Sequence, residues 1–279
     1  MMKLIHLTDP HLVPPGKTLY GGDPQAVLAE AAADINRRHA DADLVVMTGD
    51  LTHWGEPETF ESLKQTLAPL TPPLQLLIGN HDHRETFAAC FPNHPRDANG
   101  FIQARRKTPA GHMIFLDTVL EGTHAGWYCT MRRTWLAERL EEAEEEGADV
   151  FLFMHHPPFD IGLKHLDQMG LNERSAFWSV LAPHRARIRH LFFGHVHRPV
   201  MGSWRGIPVS SIRGLNHQCW LDFDDPDTAW GSFEPPAYAV VLIDAERVMV
   251  HPHDFKDDSA KFRLDDSPVD DWANAYAEA

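Results

Sequence analysis

Five short, largely apolar runs, residues 4–8, 44–48, 74–78, 150–154 and 188–193, punctuate this chain. They are too short for helices and do not alternate, so they are expected to be strands buried on both faces. Amphipathic segments fall between them. Asp23-Pro24 opens an Ala-rich helix running toward His39, with proline early in the first turn where helices admit it. Glu56-Pro57 opens another that stops before Pro69, and residues 84–91 form a short third helix followed by a turn-rich stretch at 92–100. Residues 112–117 read as a strand and 130–146 as a long helix. The acidic end of that helix, Glu141 to Glu146, opposes the helix dipole and is expected to be a solvated, fraying face. A helix over 172–181 is expected to close at Pro183. Residues 201–211 read as a hairpin around Arg205-Gly206, and 237–243 with 247–251 as a second around Asp244-Ala245-Glu246. Strands alternating with helices give an α/β fold. Residues 215–236, dense in Asp, Pro and Trp, are expected to be a long ordered loop near a cleft.

Polar residues of one chemical kind follow each buried run. They are Asp9-Pro10-His11, Gly49-Asp50, Gly79-Asn80-His81-Asp82, His155-His156 and Gly194-His195-Val196-His197. Open α/β sheets place their sites at these C-terminal strand ends. In Asp9-Pro10-His11 and His195-Val196-His197 the polar residues are two apart, so a locally extended backbone would project both to one side. Two cations held roughly 3.5–4 Å apart can clamp a phosphoryl group and acidify water. A carboxylate such as Asp50 can give one oxygen to each ion, and Asn80 adds an amide oxygen without charge. Imidazole and carboxylate without thiolate suit Mn, Fe, Zn or Co better than Ca or Mg. His39, His94, His165, His184, His190, His251 and His253 have no such partners and read as surface or structural residues.

Taken together, the five blocks resemble the calcineurin-like metallophosphoesterase superfamily over residues 1 to about 215. That resemblance implies a sandwich of two mixed β-sheets flanked by helices; the expected catalytic domain covers 1–255 with a small C-terminal addition, and the acidic tail over 256–279 lies beyond the resemblance. The resemblance also implies that Asp9, His11, Asp50 and His197 hold one metal, and that Asp50 bridges to a second held by Asn80, His155 and His195. His81 would stand beside the scissile phosphate and assist the leaving oxygen, with Asp82 orienting it or acting from behind, and with His156 supporting the site. Lys17-Thr18-Leu19-Tyr20-Gly21, Phe153-Met154-His155-His156-Pro157-Pro158 and Gly214-Leu215-Asn216-His217-Gln218 are similar to the bacterial branch of glycerophosphodiesterases and class III cyclic-nucleotide phosphodiesterases. The leading substrates are therefore small glycerophosphodiesters or phospholipid head-group esters, phospholipase C-like cleavage included, and 3′,5′-cyclic nucleotides are the alternative. A non-catalytic scaffold is disfavoured because His81 and every ligand are retained. Substrate-side candidates are Tyr20, His53, His217 and Trp220. His53 is expected chiefly to stabilise its loop. Trp220 and Trp230, interleaved with Asp222, Asp224, Asp225 and Asp227, either pack the 215–236 loop or offer a cage for a quaternary ammonium.

Composition narrows the partners. A formal net charge of −15 over 279 residues argues against tracking along nucleic acid. A small phosphodiester would still be drawn in once it lay within about a Debye length, ~8 Å, of two dications. Cys90, Cys129 and Cys219 are expected to be free thiols. No apolar run reaches membrane-spanning length, and the first strand starts too early to leave room for a secretory leader. The expectation is a cytoplasmic enzyme, with transient lipid contact and homo-oligomerisation left open.

Overall fold

The structure is a computed structural model that describes residues 1–263. In chain order its elements are β1 (Met2–Leu7), α1 (Pro24–His39), β2 (Leu44–Thr48), α2 (Pro57–Leu67), β3 (Leu74–Leu77), α3 (Arg84–Cys90), β4 (Ala104–Thr108), β5 (Gly111–Phe115), α4 (Thr130–Glu145), β6 (Val150–Met154), α5 (Lys164–Asp167) and α6 (Arg174–Leu181). A 3₁₀ turn over Ala182–Arg187 leads into β7 (Ile188–Phe193), β8 (Val200–Trp204), β9 (Ile207–Ser211), β10 (Gln218–Cys219), β11 (Gly231–Ser232), β12 (Tyr238–Ile243) and β13 (Val248–His253). One sheet runs β13-β12-β1-β2-β3 and the other β4-β5-β6-β7-β9-β8, both of them mixed.

The largely apolar runs have a direct cause, since each central strand is covered on both sides. In β1, Ile5 and Leu7 pack with Leu28, Ile35, Phe60 and Leu63 under the helices, whereas Leu4 faces the second sheet. Strand β6 does the same, with Leu152 and Met154 against α4 and α6 and with Phe151 and Phe153 between the sheets. Four layers result, helix, sheet, sheet and helix. His6 shares the inner face with Leu4 and is fully buried there.

Several local expectations are corrected. Strand β4, of sequence Ala-Arg-Arg-Lys-Thr, was not expected; it is an edge strand, where charged side chains are tolerated. Pro183 does not simply end a helix but starts the 3₁₀ turn. The acidic end of α4 is solvent-exposed, as expected, but it is held rather than frayed. Glu142 pairs with Arg105, Glu146 with Lys107 and His112, and Glu144 with Arg187, so the charges that oppose the dipole are tied to β4, β5 and the 3₁₀ turn. The Arg205-Gly206 hairpin is as expected, both turn residues having positive φ (51° and 84°). Among the described residues no helix is long and apolar enough to cross a membrane. The acidic tail lies outside the described residues from position 264 onward.

Candidate dinuclear metal centre

The polar residues after β1, β2, β3, β6 and β7 meet at one edge of the sandwich. Their loops are bonded to each other: Asp9 N–H donates to the Gly49 carbonyl (3.2 Å), His11 N–H to the Asp50 carbonyl (3.0 Å) and Gly194 N–H to the His155 carbonyl (3.1 Å). The backbone that aims the ligands is not extended, contrary to the expectation from their two-residue spacing. Asp9, His11, Asp50, His195 and His197 all have φ between 45° and 70°. Left-handed backbone is costly for a residue bearing a Cβ and persists where the surrounding structure enforces it. Here it turns each side chain in toward a common centre. Two glycines make room: a Cβ on Gly79 would sit 2.2 Å from Asp50 Oδ1, and one on Gly49 (φ 99°) 2.6 Å from His155 Nδ1.

Two donor sets result, sharing one carboxylate. In the first, ligand atoms of Asp9, His11, Asp50 and His197 all lie within 4.8 Å of one another. In the second, Asn80 Oδ1 is 3.1 Å from His155 Nε2 and 3.0 Å from His195 Nδ1. Asp50 Oδ2 stands between them, 3.4 Å from His11 Nε2 and 3.3 Å from His155 Nε2, while Asp50 Oδ1 accepts the His81 N–H at 2.9 Å. Proton placement shows what these atoms lack. His155 Nδ1–H donates to the Thr48 carbonyl (2.7 Å), which leaves Nε2, facing two acceptor oxygens, to be filled by a proton or by a metal ion. His197 Nδ1–H donates to the His217 carbonyl (2.7 Å), so its Nε2 lone pair faces His11 Nε2 (3.0 Å) and Asp9 Oδ1 (3.5 Å). Converging lone pairs repel unless a cation lies among them, and imidazoles fixed through their far nitrogen are the usual arrangement at metals. The residues present fit a pair of metal ions.

Residues 2–199 match the family of calcineurin-like phosphoesterases. The chain belongs to that family. It is 44% identical over 95% of its length, and over 97% of the relative's, to a protein of Rhodopseudomonas palustris named as a probable cyclic nucleotide phosphodiesterase. It is 29% identical to a probable glycerophosphodiester phosphodiesterase of Arcobacter nitrofigilis, covering 85% of this chain and 86% of that one. A dimetal phosphatase from Danio rerio shares the fold with a TM-score of 0.70 at 14% identity, over 91% of this chain and 96% of that one. This metallophosphoesterase is thus an enzyme, a metal-dependent phosphoric diester hydrolase.

Within the metallophosphoesterase site, charge and burial work against each other. Burial lowers the proton affinity of His155, but the Asp50 carboxylate and then Asp9 outweigh it and hold its pKa up at about 9. His11 and His195, equally buried, are driven well below the ordinary histidine value. His81 Nδ1–H donates to the His53 carbonyl (2.9 Å) and its ring stacks on that of His53 at 4.8 Å, which leaves Nε2 as its free working atom. The His53 backbone carbonyl thus orients His81, and the His53 ring forms part of the wall. Tyr20 is exposed at the mouth, 4.8 Å from the His217 ring and 6.2 Å from that of His53. Burial keeps the His53 and His217 imidazoles neutral, with pKa values lowered to about 4 and about 2.

Asp82 and His156 take supporting places behind the site, each one of the alternatives open to it, while Trp220 stands away from the site. Asp82, offered as a catalytic residue, directs its carboxylate to the backbone N–H groups of Gly79 (2.9 Å), Leu51 (3.0 Å) and Thr52 (2.9 Å) and to the Thr52 hydroxyl (2.9 Å). It clasps the loops after β2 and β3, and burial pushes its carboxyl up to about 6. His156 engages Thr118 Oγ1 (2.8 Å) and the His124 carbonyl (3.2 Å) with its two ring nitrogens, so it supports the site and has no free donor for a metal. Trp220 lies on the β10–β11 ribbon, where it lines a small pocket with Trp230, Leu163 and Leu166 apart from the metal-site side chains. Two of the ribbon's aspartates brace its own backbone, Asp222 accepting the N–H groups of Asp224 and Asp225, and Asp225 those of Asp227 and Thr228. One cleft residue was missed altogether. His124 accepts from Asn80 Nδ2–H at 3.0 Å and lies 5.1 Å from the His81 ring, but it follows no strand and belongs to no motif.

Proposed function

We propose that this enzyme hydrolyses 3′,5′-cyclic nucleotides, with glycerophosphodiesters as the second substrate class. This reverses the order favoured by motifs alone. The observation that carries it is the 44% identity, end to end, to a relative named for cyclic nucleotides, against 29% to one named for glycerophosphodiesters. In this reading Asp9, His11, Asp50 and His197 hold one ion, and Asn80, His155, His195 and the shared Asp50 hold the other. When bound, such a pair neutralises phosphoryl charge and makes water acidic enough to attack near neutral pH. Mn, Fe, Zn and Co suit the donor set.

The protein's own groups supply the rest. His81, oriented through the His53 carbonyl, presents Nε2 to the leaving oxygen and can hydrogen-bond or protonate it. Tyr20, His53 and His217 form a neutral aromatic wall on one side of His81, a surface suited to a nucleobase or another flat group. The cytoplasm, where cyclic nucleotides are made, is the matching compartment. The test is a comparison of kcat/KM for cyclic AMP, cyclic GMP, glycerophosphocholine and glycerophosphoethanolamine on chelated protein reloaded with Mn, Co, Zn or Fe. The proposal expects cyclic nucleotides to lead and metal-free protein to be inactive. A glycerophosphodiester preference of tenfold or more would return the order to the one the motifs suggested.

A further inference from the structure

Behind Asp9 runs a line of buried side chains that phosphodiester chemistry does not itself require: Thr8, Thr48 and His6. Thr8 Oγ1 lies 2.7 Å from Asp9 Oδ2, Thr48 Oγ1 lies 2.8 Å from Thr8 Oγ1, and His6 Nε2 lies 2.9 Å from Thr48 Oγ1. All four residues are fully buried. The direction of every proton follows from what each group can do. An ionised carboxylate only accepts, so Thr8 gives its single hydroxyl proton to Asp9. Thr8 then accepts from Thr48, whose other acceptor, the Leu7 carbonyl, is farther away at 3.4 Å. Thr48, having given its proton, must accept from His6. That places the only proton of a neutral imidazole on His6 Nε2 and leaves Nδ1 a bare lone pair, and His6 Nδ1 is indeed buried without a hydrogen-bond partner. Burial, with His190 nearby, keeps the ring neutral by lowering its pKa to about 3.

We propose that His6, Thr48 and Thr8 are positioning residues that fix the Asp9 carboxylate by holding Oδ2, so that Oδ1 is the oxygen offered to the metal. The inference rests on the reading of Asp9, His11, Asp50 and His197 as a metal set. The geometry agrees with it: Oδ1 is the Asp9 oxygen that faces His197 Nε2 at 3.5 Å. The His195 N–H reaches both oxygens, at 3.2 and 3.1 Å, and so does not choose between them, whereas the Thr8 hydroxyl does. Partners standing behind a ligand commonly change metal affinity by about 10–100-fold.

The test is a cobalt titration of metal-stripped protein against a competing chelator, read by the cobalt visible spectrum, for the parent, Thr48→Val, Thr8→Val, His6→Leu and His6→Gln. The parent is expected to bind two ions. Thr48→Val, Thr8→Val and His6→Leu should each weaken one of them by about tenfold or more. His6→Gln, whose amide N–H can donate where Nε2 did, should stay near the parent. Should one valine variant fail to fold, the other interrupts the same line. Parental affinity in the folded valine and leucine variants would overturn the proposal, as would a His6→Gln variant as weak as His6→Leu, because packing rather than donation would then be at work. A parent that binds no cobalt would instead overturn the metal reading beneath it.

Discussion

His155 and His190 lie on neighbouring strands, one just past the end of β6 and the other within β7, and both are buried. Their proton affinities are opposite. Carboxylates at the rim hold the His155 pKa at about 9, whereas burial alone lowers that of His190 to about 4. The rim gathers lone pairs and negative charge on a left-handed backbone that is costly to form. Between the sheets, histidine carries no charge and ties itself to a single hydroxyl, as His190 Nε2 does to Ser210 Oγ at 2.8 Å. The same residue type therefore marks a cation site only where the sheet edge supplies carboxylates to neutralise the ion.

If the rim is organised around shared charge, the severest damage should come from Asp50, the one carboxylate between the two donor sets. Asp50→Ala is expected to lose the paired ions and at least ~10³-fold in kcat/KM, beyond the usual ~10²–10³-fold for removing one electrostatic element. Elemental analysis alongside kinetics checks this, and two ions per chain in the variant would break the comparison. His81→Ala comes next. It removes no donor from either set, so both ions should stay while the rate falls about 10²–10⁴-fold. The fall should be larger for a cyclic nucleotide, which leaves as a poor alkoxide, than for bis(p-nitrophenyl) phosphate, whose p-nitrophenolate needs no proton. Equal falls would make His81 a phosphate-orienting residue instead of an acid.

Much of the rim was legible in sequence because its ligands follow apolar runs that announce strands buried on both faces. The two-residue spacing of Asp9-Pro10-His11 was legible too, but the left-handed turns that aim these residues were not, since nothing about an aspartate or histidine announces positive φ. His124 was invisible because only the folded loop brings it to Asn80. The interior was less legible still. His6 and Thr48 sit in strands, and Thr8 just past the end of one, where apolar neighbours dominate the pattern, and their meeting depends on the register of β1 with β2, in which His6 pairs with Val46. The ion pairs that hold the acidic end of α4 were not legible because their partners lie on β4, an edge strand too polar to recognise, on β5 and on the 3₁₀ turn.

The smallest expected effect tests the interior half of the comparison. His94 is largely buried, bonds the Leu76 carbonyl through Nε2 at 3.0 Å, and has its pKa lowered to about 4, chiefly by burial. Its unfolded value is near 6.5, so between about pH 6.5 and 4 the unfolded chain binds a proton there that the folded chain does not. Stability from this residue is therefore fully present above about 6.5 and is lost as the pH falls toward 4, by at most ~1.4 kcal/mol per pH unit. His94→Gln keeps a donor for Leu76 but cannot titrate, so its unfolding free energy should fall less steeply over that window. Denaturant unfolding at pH 7, 6, 5 and 4.5 measures the difference. Both proteins must first be stripped of metal, since protonation of rim ligands would otherwise release ions and lower stability through the wrong region. Parallel curves for parent and variant would mean that His94 takes up its proton in the folded state. Burial without a counter-charge would then not be what separates the interior histidines from His155.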